Sequence, residues 1–270
     1  MIHVTFRFYA ELNDFLPPER RQVAFDHALA GPASVKDAIE ALGVPHTEVD
    51  LILASRRSPP ARPWRGGSGG DGESVDFSYR LADGDRIAAY PVFETLDITP
   101  VLRVRPEPLR RPRFVLDTHL GRLASYLRLL GFDALYTNDA EDATLADLAA
   151  AEGRILLTRD RGLLKRRQVT RGYCLRSTNS RAQLREVVQR FDLAAAARPF
   201  TRCLACNGDL QPAPAAEVRH LLPEQARQAY DEFSRCTACG RVYWQGAHYA
   251  RMRGLVEEIV GRAQAGPSQE

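Results

Sequence analysis

Lysine is almost absent from this sequence. Lys36 and Lys165 are the two exceptions among 37 basic residues, and the other 35 are arginine. Long apolar runs are also absent: none approaches the roughly 20 residues that a bilayer-spanning helix needs, and the start, MIHVTFRFYAEL, has polar residues where a signal peptide has its apolar block. These absences argue against a membrane protein and predict a cytoplasmic one.

The net charge of +3 conceals two halves of opposite sign. Residues 1–102 contain 10 basic and 15 acidic residues, whereas residues 103–270 contain 27 and 19. A basic half is a candidate for binding an anionic partner such as nucleic acid. The excess of arginine is equally consistent with an arginine-biased genome, so the charge alone leaves the partner open.

The N-terminal hundred residues have the pattern of a small sheet with one helix. Residues 2–9 alternate apolar and polar side chains, as a half-buried strand does, and residues 22–26 offer a hairpin partner. Ser34 and Gly43 bracket a short amphipathic helix, and strands are predicted over 49–54 and 85–93. This order resembles the β-grasp, ubiquitin-like fold.

The segment LADGDRIAAYPV resembles the closing part of sulfur-carrier proteins of the same fold. Those carriers act through a free C-terminal Gly-Gly, whereas this chain continues through YPVFETLDITP into further sequence. This continuation argues against a sulfur-carrier role.

Two stretches rich in Pro, Gly, Ser or Arg interrupt the predicted elements. Residues 55–74 are predicted to be a mobile surface insertion, and residues 101–113 a basic, proline-rich linker. Whether the linker arginines contact phosphate or only solvent is left open by the sequence.

After the linker, strands and helices alternate. Short apolar strands are predicted at 114–116, 134–137 and 154–158, with amphipathic helices between them that stop at Gly131 and Gly153. Alternation of this kind predicts βαβ units and a parallel sheet.

Aspartates follow three successive strands of this sheet. Asp117 follows the first, Asp139 and Asp142 the second, and Asp160 the third. The carboxyl ends of parallel strands share one edge, which is where ligands bind in such sheets. Gathered carboxylates need a cation between them, and Mg²⁺ or Mn²⁺ prefers oxygen ligands.

Each aspartate also has a plainer interpretation. Asp117 and either Asp139 or Asp142 are suited to capping the helix that follows, and Asp160 to pairing with a neighbouring arginine. The recurrence at three strand ends is more informative than any one position, and it favours a metal site.

Three segments, FVLDTHLGRLASYLRLLGFDALYTND, AAEGRILLTRDRGLL and the C-terminal cysteine pairs, together resemble the PIN-like RNase family named after the C-terminal domain of the Mut-seven exonuclease. The resemblance covers about residues 114–250, and bacterial members often carry an N-terminal ubiquitin-like domain. It implies RNA cleavage with Mg²⁺ or Mn²⁺ held by Asp117, Asp142 and Asp160, with Asp139 as a possible additional acid.

The sequence departs from the family pattern after the next strand. Many PIN domains place a further acid there, but this chain has Ser177, Thr178, Asn179 and Ser180. The basic residues after the third strand suit a polyanion, and the candidates for phosphate or RNA binding are Arg159, Arg161, Lys165 and Arg166. A solvated helix face is the alternative.

Two cysteine pairs predict a metal site. Cys203 and Cys206, with Cys236 and Cys239, have the spacing of a tetrahedral zinc site, and four protein ligands leave no open position, so the Zn²⁺ is expected to be structural. Aromatic residues after the second pair (Tyr243, Trp244, His248 and Tyr249) suit either stacking on unpaired bases or packing of the module. Cys174 is expected in the core.

The fold class is therefore α/β and α+β, with a β-grasp domain at 1–100, a linker at 101–113, a PIN-like RNase domain with a parallel sheet at 114–198, a Cys₄ zinc ribbon at 199–255 and a polar tail at 256–270. The leading hypothesis is a metal-dependent ribonuclease that acts on RNA. The alternative is a non-catalytic RNA-binding adaptor whose β-grasp domain recruits a protein partner.

Overall fold

The computed structural model describes residues 1–56, 72–91, 103–104 and 112–264. Most of the predicted insertion and linker therefore lies outside the described residues. Within them, no helix combines the length and apolar character required to cross a membrane. The chain forms two compact units: unit 1 consists of residues 1–110 and 160–173, and unit 2 of residues 111–159 and 174–270.

Unit 1 contains a five-stranded mixed sheet. The elements from residues 1–110 are β1 (Ile2–Phe8), β2 (Phe25–Leu29), α1 (Val35–Ala41), β3 (Leu51–Arg56), β4 (Glu73–Ser74) and β5 (Asp85–Tyr90). The strands have the order β2-β1-β5-β3-β4; β1 pairs with β5 in parallel, and the other three neighbouring pairs are antiparallel. This is the expected β-grasp arrangement.

Helix α1 begins where the sequence predicts. The Ser34 hydroxyl accepts a hydrogen bond from the Asp37 backbone N–H at 3.1 Å, and Gly43 adopts φ +101° just after the helix. The first strand buries Val4, Phe6 and Phe8 on one face, as its alternation predicts.

Strand β2 starts three residues later than predicted. Two 3-10 helices, Ala10–Phe15 and Pro18–Arg20, occupy the connection, so Phe25 rather than Gln22 begins the pairing and lies opposite Phe6.

The next elements along the chain are β6 (Phe114–Leu116), a 3-10 helix (Thr118–Leu120), α2 (Gly121–Leu129), β7 (Ala134–Tyr136), α3 (Asp142–Glu152), β8 (Ile155–Thr158), β9 (Gly172–Cys174) and α5 (Ser180–Arg190). The four strands form the expected parallel sheet, in the order β7-β6-β8-β9. Strand β6 pairs in parallel with both β7 and β8, so Leu116 lies opposite Tyr136 on one side and Leu157 on the other.

The short helix α4 (Arg161–Leu164) lies between β8 and β9 in sequence but belongs to unit 1. The predicted central domain, 114–198, is therefore interrupted by a stretch that packs with the N-terminal residues. Cys174, at the end of β9, is 7% exposed, which confirms it as a core residue.

The elements of the C-terminal part of unit 2 are β10 (Leu210–Ala213), α6 (Ala215–Val218), α7 (Glu224–Ala229), β11 (Phe233–Cys236), β12 (Val242–Trp244) and α8 (Ala247–Gln264). The three strands form an antiparallel sheet in the order β10-β11-β12. A small core consists of Val218, Leu222, Ala226 and Phe233.

The polar tail predicted at 256–270 requires a correction. Helix α8 extends to Gln264, because Leu255, Val256 and Ile259 form a buried apolar stripe at helical spacing. The remaining residues, 265–270, lie outside the described ones.

Candidate functional site

The four paired cysteines form a compact group of sulfur atoms. Their Sγ atoms all lie within 4.8 Å of one another, with 3.6 Å between Cys203 and Cys239 and 3.4 Å between Cys206 and Cys236. All four are free thiols. Gly208 makes this approach possible, since a Cβ there would lie 2.9 Å from the Cys236 sulfur. The cluster can hold a metal ion such as zinc.

Polar contacts favour ionised sulfur at one of these positions. Burial raises the pKa of the Cys203 thiol, but hydrogen bonds from Tyr243 and from nearby groups outweigh it and lower the pKa to about 6. The Tyr243 hydroxyl lies 3.1 Å from that sulfur and accepts a hydrogen bond from the Leu204 N–H at 3.1 Å. Burial and the neighbouring thiols instead raise the pKa of Cys206 to about 12. A bound dication would allow both cysteines to be thiolates, because its positive charge neutralises theirs.

A buried arginine fixes the first cysteine knuckle to the parallel sheet. Arg128 is 4% exposed; its Nε donates to the Ala134 carbonyl at 2.8 Å, and one terminal nitrogen donates to the carbonyls of Leu204 and Ala205 at 3.0 Å each. Burial lowers the pKa of Arg128, although the nearby cysteines oppose the shift. The sequence offered no signal for this role, because a single arginine in an amphipathic helix is expected to be exposed.

Asn207 makes a second connection between the knuckle and the sheet. Its side-chain oxygen accepts from the Ala134 N–H at 3.0 Å, and its nitrogen donates to Asp133 at 2.7 Å. Arg154 donates to both oxygens of the same carboxylate, at 2.7 and 3.1 Å. Burial raises the pKa of Asp133, but the bonds from Arg154 and Asn207 outweigh burial and hold it below its usual range.

Asp117 lies directly after β6 and has both carboxylate oxygens engaged. One accepts from the Thr118 N–H at 2.6 Å, and the other from the hydroxyl of Thr158, a fully buried residue of β8, also at 2.6 Å. Asp117 also caps the 3-10 helix that follows. Asp117 therefore has the capping role considered from the sequence, and its carboxylate also has a fixed orientation at the end of the strand.

Asp160 caps α4. Its Oδ1 accepts from the Gly162 N–H at 2.7 Å, and the residue is exposed. Asp142 is the first residue of α3, while the cap position is occupied by Glu141, so neither Asp139 nor Asp142 caps that helix. Both aspartates are exposed.

Among the described residues, the four cysteines are the potential metal ligands that lie close together as a group. The convergence of Asp117, Asp142 and Asp160 on a metal stays a prediction.

At the position of the missing fourth acid, Asn179 caps α5. Its side-chain oxygen accepts from the N–H groups of Arg181 and Ala182 at 3.0 and 3.2 Å. A carboxylate that the sequence did not suggest reaches this region from α5: Glu186 accepts from the N–H groups of Arg176 and Ser177 at 2.8 and 3.2 Å. Glu186 therefore orders the chain after β9.

The four basic candidates have different surroundings. The Arg161 guanidinium lies over the Phe15 ring at 4.9 Å, and the Lys165 ammonium donates to the Glu40 carbonyl at 2.7 Å. Arg159 and Arg166 are exposed. Arg161 and Lys165 thus contact other residues of unit 1.

Some aromatic residues of the C-terminal module pack against neighbouring residues, and others line a cavity. Tyr243 contacts the cysteine cluster, and Tyr249 packs on Phe200 with ring centres 4.4 Å apart. A cavity of about 530 Å³ lies beside them, lined in part by Trp244 and Met252. Packing, one of the two alternatives left open by the sequence, accounts for Tyr243.

Comparison with known proteins agrees with this architecture. A family model described as "Mut7-C RNAse domain" matches residues 112–256, and one described as "Mut7-C ubiquitin" matches residues 1–64 and 70–97. The human "Exonuclease mut-7 homolog" is 40% identical over 108 residues, which are 38% of this chain and 12% of that protein, so the chain spans only a small part of that relative's length. No solved structure matches. These matches support a nuclease, and the chain belongs to the Mut7-C RNAse domain family, with the ubiquitin-like domain of the same family at its N-terminal side.

Proposed function

We propose that this protein is a metal-dependent ribonuclease that hydrolyses RNA phosphodiester bonds with water as the nucleophile. Asp117, Asp142 and Asp160 would hold Mg²⁺ or Mn²⁺. The observation that carries the proposal is the fixed Asp117 carboxylate at the end of β6, oriented by the Thr118 N–H and the Thr158 hydroxyl.

The donor chemistry of these side chains fits a hard cation. Carboxylate oxygens are the ligands that Mg²⁺ and Mn²⁺ prefer. The Asp117 oxygen that accepts from Thr158 has a second lone pair that can face a cation. When bound, such an ion activates water and stabilises the leaving oxygen. The buried Thr158 hydroxyl fixes one oxygen of Asp117, which prepares the ligand in advance.

Arginine beside the carboxylates would bind the substrate backbone. Arg159 is exposed and lies next to Asp160 in sequence, so it is suited to a phosphate on either side of the scissile bond. Arg166 is exposed as well and would contact a more distant phosphate. The four cysteines would hold a structural Zn²⁺, with no part in the reaction.

The second candidate function is a non-catalytic RNA-binding adaptor. It is favoured by one observation: Asn179, at the position where many family members have an acid, is used as a helix cap. In that case the ubiquitin-like domain would recruit a protein partner.

Cleavage of labelled single-stranded and structured RNA by the purified full chain distinguishes the two candidates. We expect products with Mn²⁺, none with chelator, and at least a 100-fold loss in Asp117→Asn and Asp160→Asn. Asp192→Asn is the matched control, because it removes an exposed carboxylate at φ +45°, where asparagine is well tolerated. RNA binding without cleavage by the wild type would favour the adaptor, and equal cleavage by all variants would contradict the assignment of the acids.

Metal measurements test the two sites separately. Elemental analysis should find about one zinc per chain, lost when Cys236 is replaced by Ser. Calorimetry should detect Mn²⁺ binding to the zinc-loaded wild type and none to Asp117→Asn. Substantially less than one zinc per chain would overturn the zinc assignment without affecting the nuclease assignment.

A further inference from the structure

Residues 160–173 belong to the same compact unit as the N-terminal residues, and the last two of them begin strand β9 of the parallel sheet. This segment begins at Asp160, the proposed ligand, and includes α4. Leu163, Leu164 and Val169 are at most 1% exposed, so the segment is buried in the fold.

The first anchor is the His46 ring. Its Nε2 lies 2.8 Å from the Val169 carbonyl oxygen, its Nδ1 lies 2.6 Å from a carboxylate oxygen of Glu40, and its edge meets the Phe77 ring at 5.5 Å. His46 is 4% exposed and Val169 is fully buried. A buried carbonyl without a partner is costly, so His46 supplies a bond that water is poorly placed to replace.

The second anchor is Lys165. Its ammonium donates to the Glu40 backbone carbonyl at 2.7 Å, in the last turn of α1. The same carbonyl accepts from the Gly43 N–H at 3.0 Å. Carbonyls at the end of a helix carry the negative end of the helix dipole, so a cation is favourable there. Glu40 thus takes part in both anchors, with its carboxylate bonded to His46 and its carbonyl to Lys165.

We infer that His46, Glu40 and Lys165 are positioning residues for the proposed reaction, because they hold the segment that starts at Asp160. This inference rests on the proposed function. It assigns Lys165 to the support of α4, in place of the phosphate contact expected from sequence. Because both anchors lie within ten residues of Asp160, releasing them frees the carboxylate that α4 presents.

Hydrogen exchange of the full chain, measured by mass spectrometry without added Mg²⁺ or Mn²⁺, tests the anchoring directly. Internal bonds protect the amides of Lys165 and Val169, which donate to the carbonyls of Gly162 and Arg166 at 3.1 and 3.0 Å. In Lys165→Met these amides should exchange about tenfold faster, as expected from the loss of a hydrogen bond to a charged group. Arg167→Met is the matched control: it removes a neighbouring exposed charge and should leave the exchange unchanged.

His46 variants separate anchoring from general unfolding. His46→Ala should accelerate exchange of the segment, whereas His46→Gln, which retains a donor for the Val169 carbonyl, should restore most of the protection. Peptides from β1 and β5 report whether unit 1 is still folded. Exchange at wild-type rates in both Lys165→Met and His46→Ala would overturn the anchoring.

Steady-state cleavage of RNA with Mn²⁺ tests the positioning. Lys165→Met should lower kcat about tenfold or more with KM for RNA nearly unchanged, because a displaced ligand impairs the reaction rather than substrate binding. A raised KM with unchanged kcat and a shallower salt dependence would instead make Lys165 a phosphate contact and overturn the inference. If the wild type does not cleave RNA, the proposed function fails by itself, and the exchange rates still decide the anchoring.

Discussion

Replacing Thr158 with valine tests the orientation of Asp117 without changing the shape of the core. Thr158 is fully buried in β8, and its hydroxyl donates to an Asp117 oxygen at 2.6 Å. Valine has nearly the same volume and is, like threonine, favoured in strands. The variant therefore removes the hydroxyl that donates to Asp117 and keeps the shape of the side chain.

The expected cost follows from that contact. A hydrogen bond to an ionised group contributes about 1.5–3 kcal/mol, and the partial exposure of Asp117 lets water replace some of it, so we expect a loss of about 1.5 kcal/mol in the free energy of unfolding. For a chain of this size that is roughly 3–6 °C in Tm. Mn²⁺ affinity should fall about 10- to 100-fold, as is usual when the support of a metal ligand is removed.

Urea unfolding of zinc-loaded protein and Mn²⁺ calorimetry measure the two effects. Thr137→Val, at an exposed threonine just after β7, is the matched control and should behave as the wild type. In an Asp117→Asn background the valine substitution should cost about 1 kcal/mol less, because the charged acceptor is already gone. Unchanged stability and unchanged Mn²⁺ affinity in Thr158→Val would refute the reasoning.

Two further substitutions test other contacts around the site. Arg128→Met removes the donor shared by three carbonyls, so it should cost about 3 kcal/mol in unfolding free energy and accelerate the loss of zinc to a chelator. Arg122→Met, at an exposed position of the same helix, should do neither. Equal rates of zinc release from the two variants would contradict this role of Arg128. Gly121→Ala would place a Cβ 2.7 Å from Tyr136 and should lower the free energy of unfolding by about 1–3 kcal/mol, as measured by thermal unfolding. Gly254→Ala, where the Cβ would meet open space, should be neutral or stabilising. Equal effects of the two substitutions would contradict crowding at Gly121.

Local patterns predicted the elements and the cysteine site well. Apolar runs and stop glycines located the strands and helices around the parallel sheet, because side-chain periodicity and positive φ are local properties: Gly131 and Gly153 adopt φ +90° and +62°. The cysteine spacing was sufficient to predict the metal site, because each pair forms its own turn and the two turns need only lie close together.

Contacts between distant residues could not be predicted in the same way. The burial of Arg128 depends on carbonyls more than 70 residues away in sequence. Lys165 and His46 are each more than 120 residues away in sequence from the carbonyl that they contact. Charged side chains are read from sequence as exposed, so a buried one is recognised only when its acceptors are located. For the same reason the aspartates at the strand ends were predicted individually, and their joint action remains a proposal.

The composition of unit 1 has a consequence for how the protein is made. On the ribosome, the N-terminal stretch is synthesised well before residues 160–173, so the nascent unit has its strands but lacks the buried residues Val169 and Leu164 until that later stretch has emerged. Its folding is therefore completed only after most of the parallel sheet has also been translated. Cutting the gene at the linker would divide one folding unit between two polypeptides, and complementation of the separate fragments would require them to reassemble.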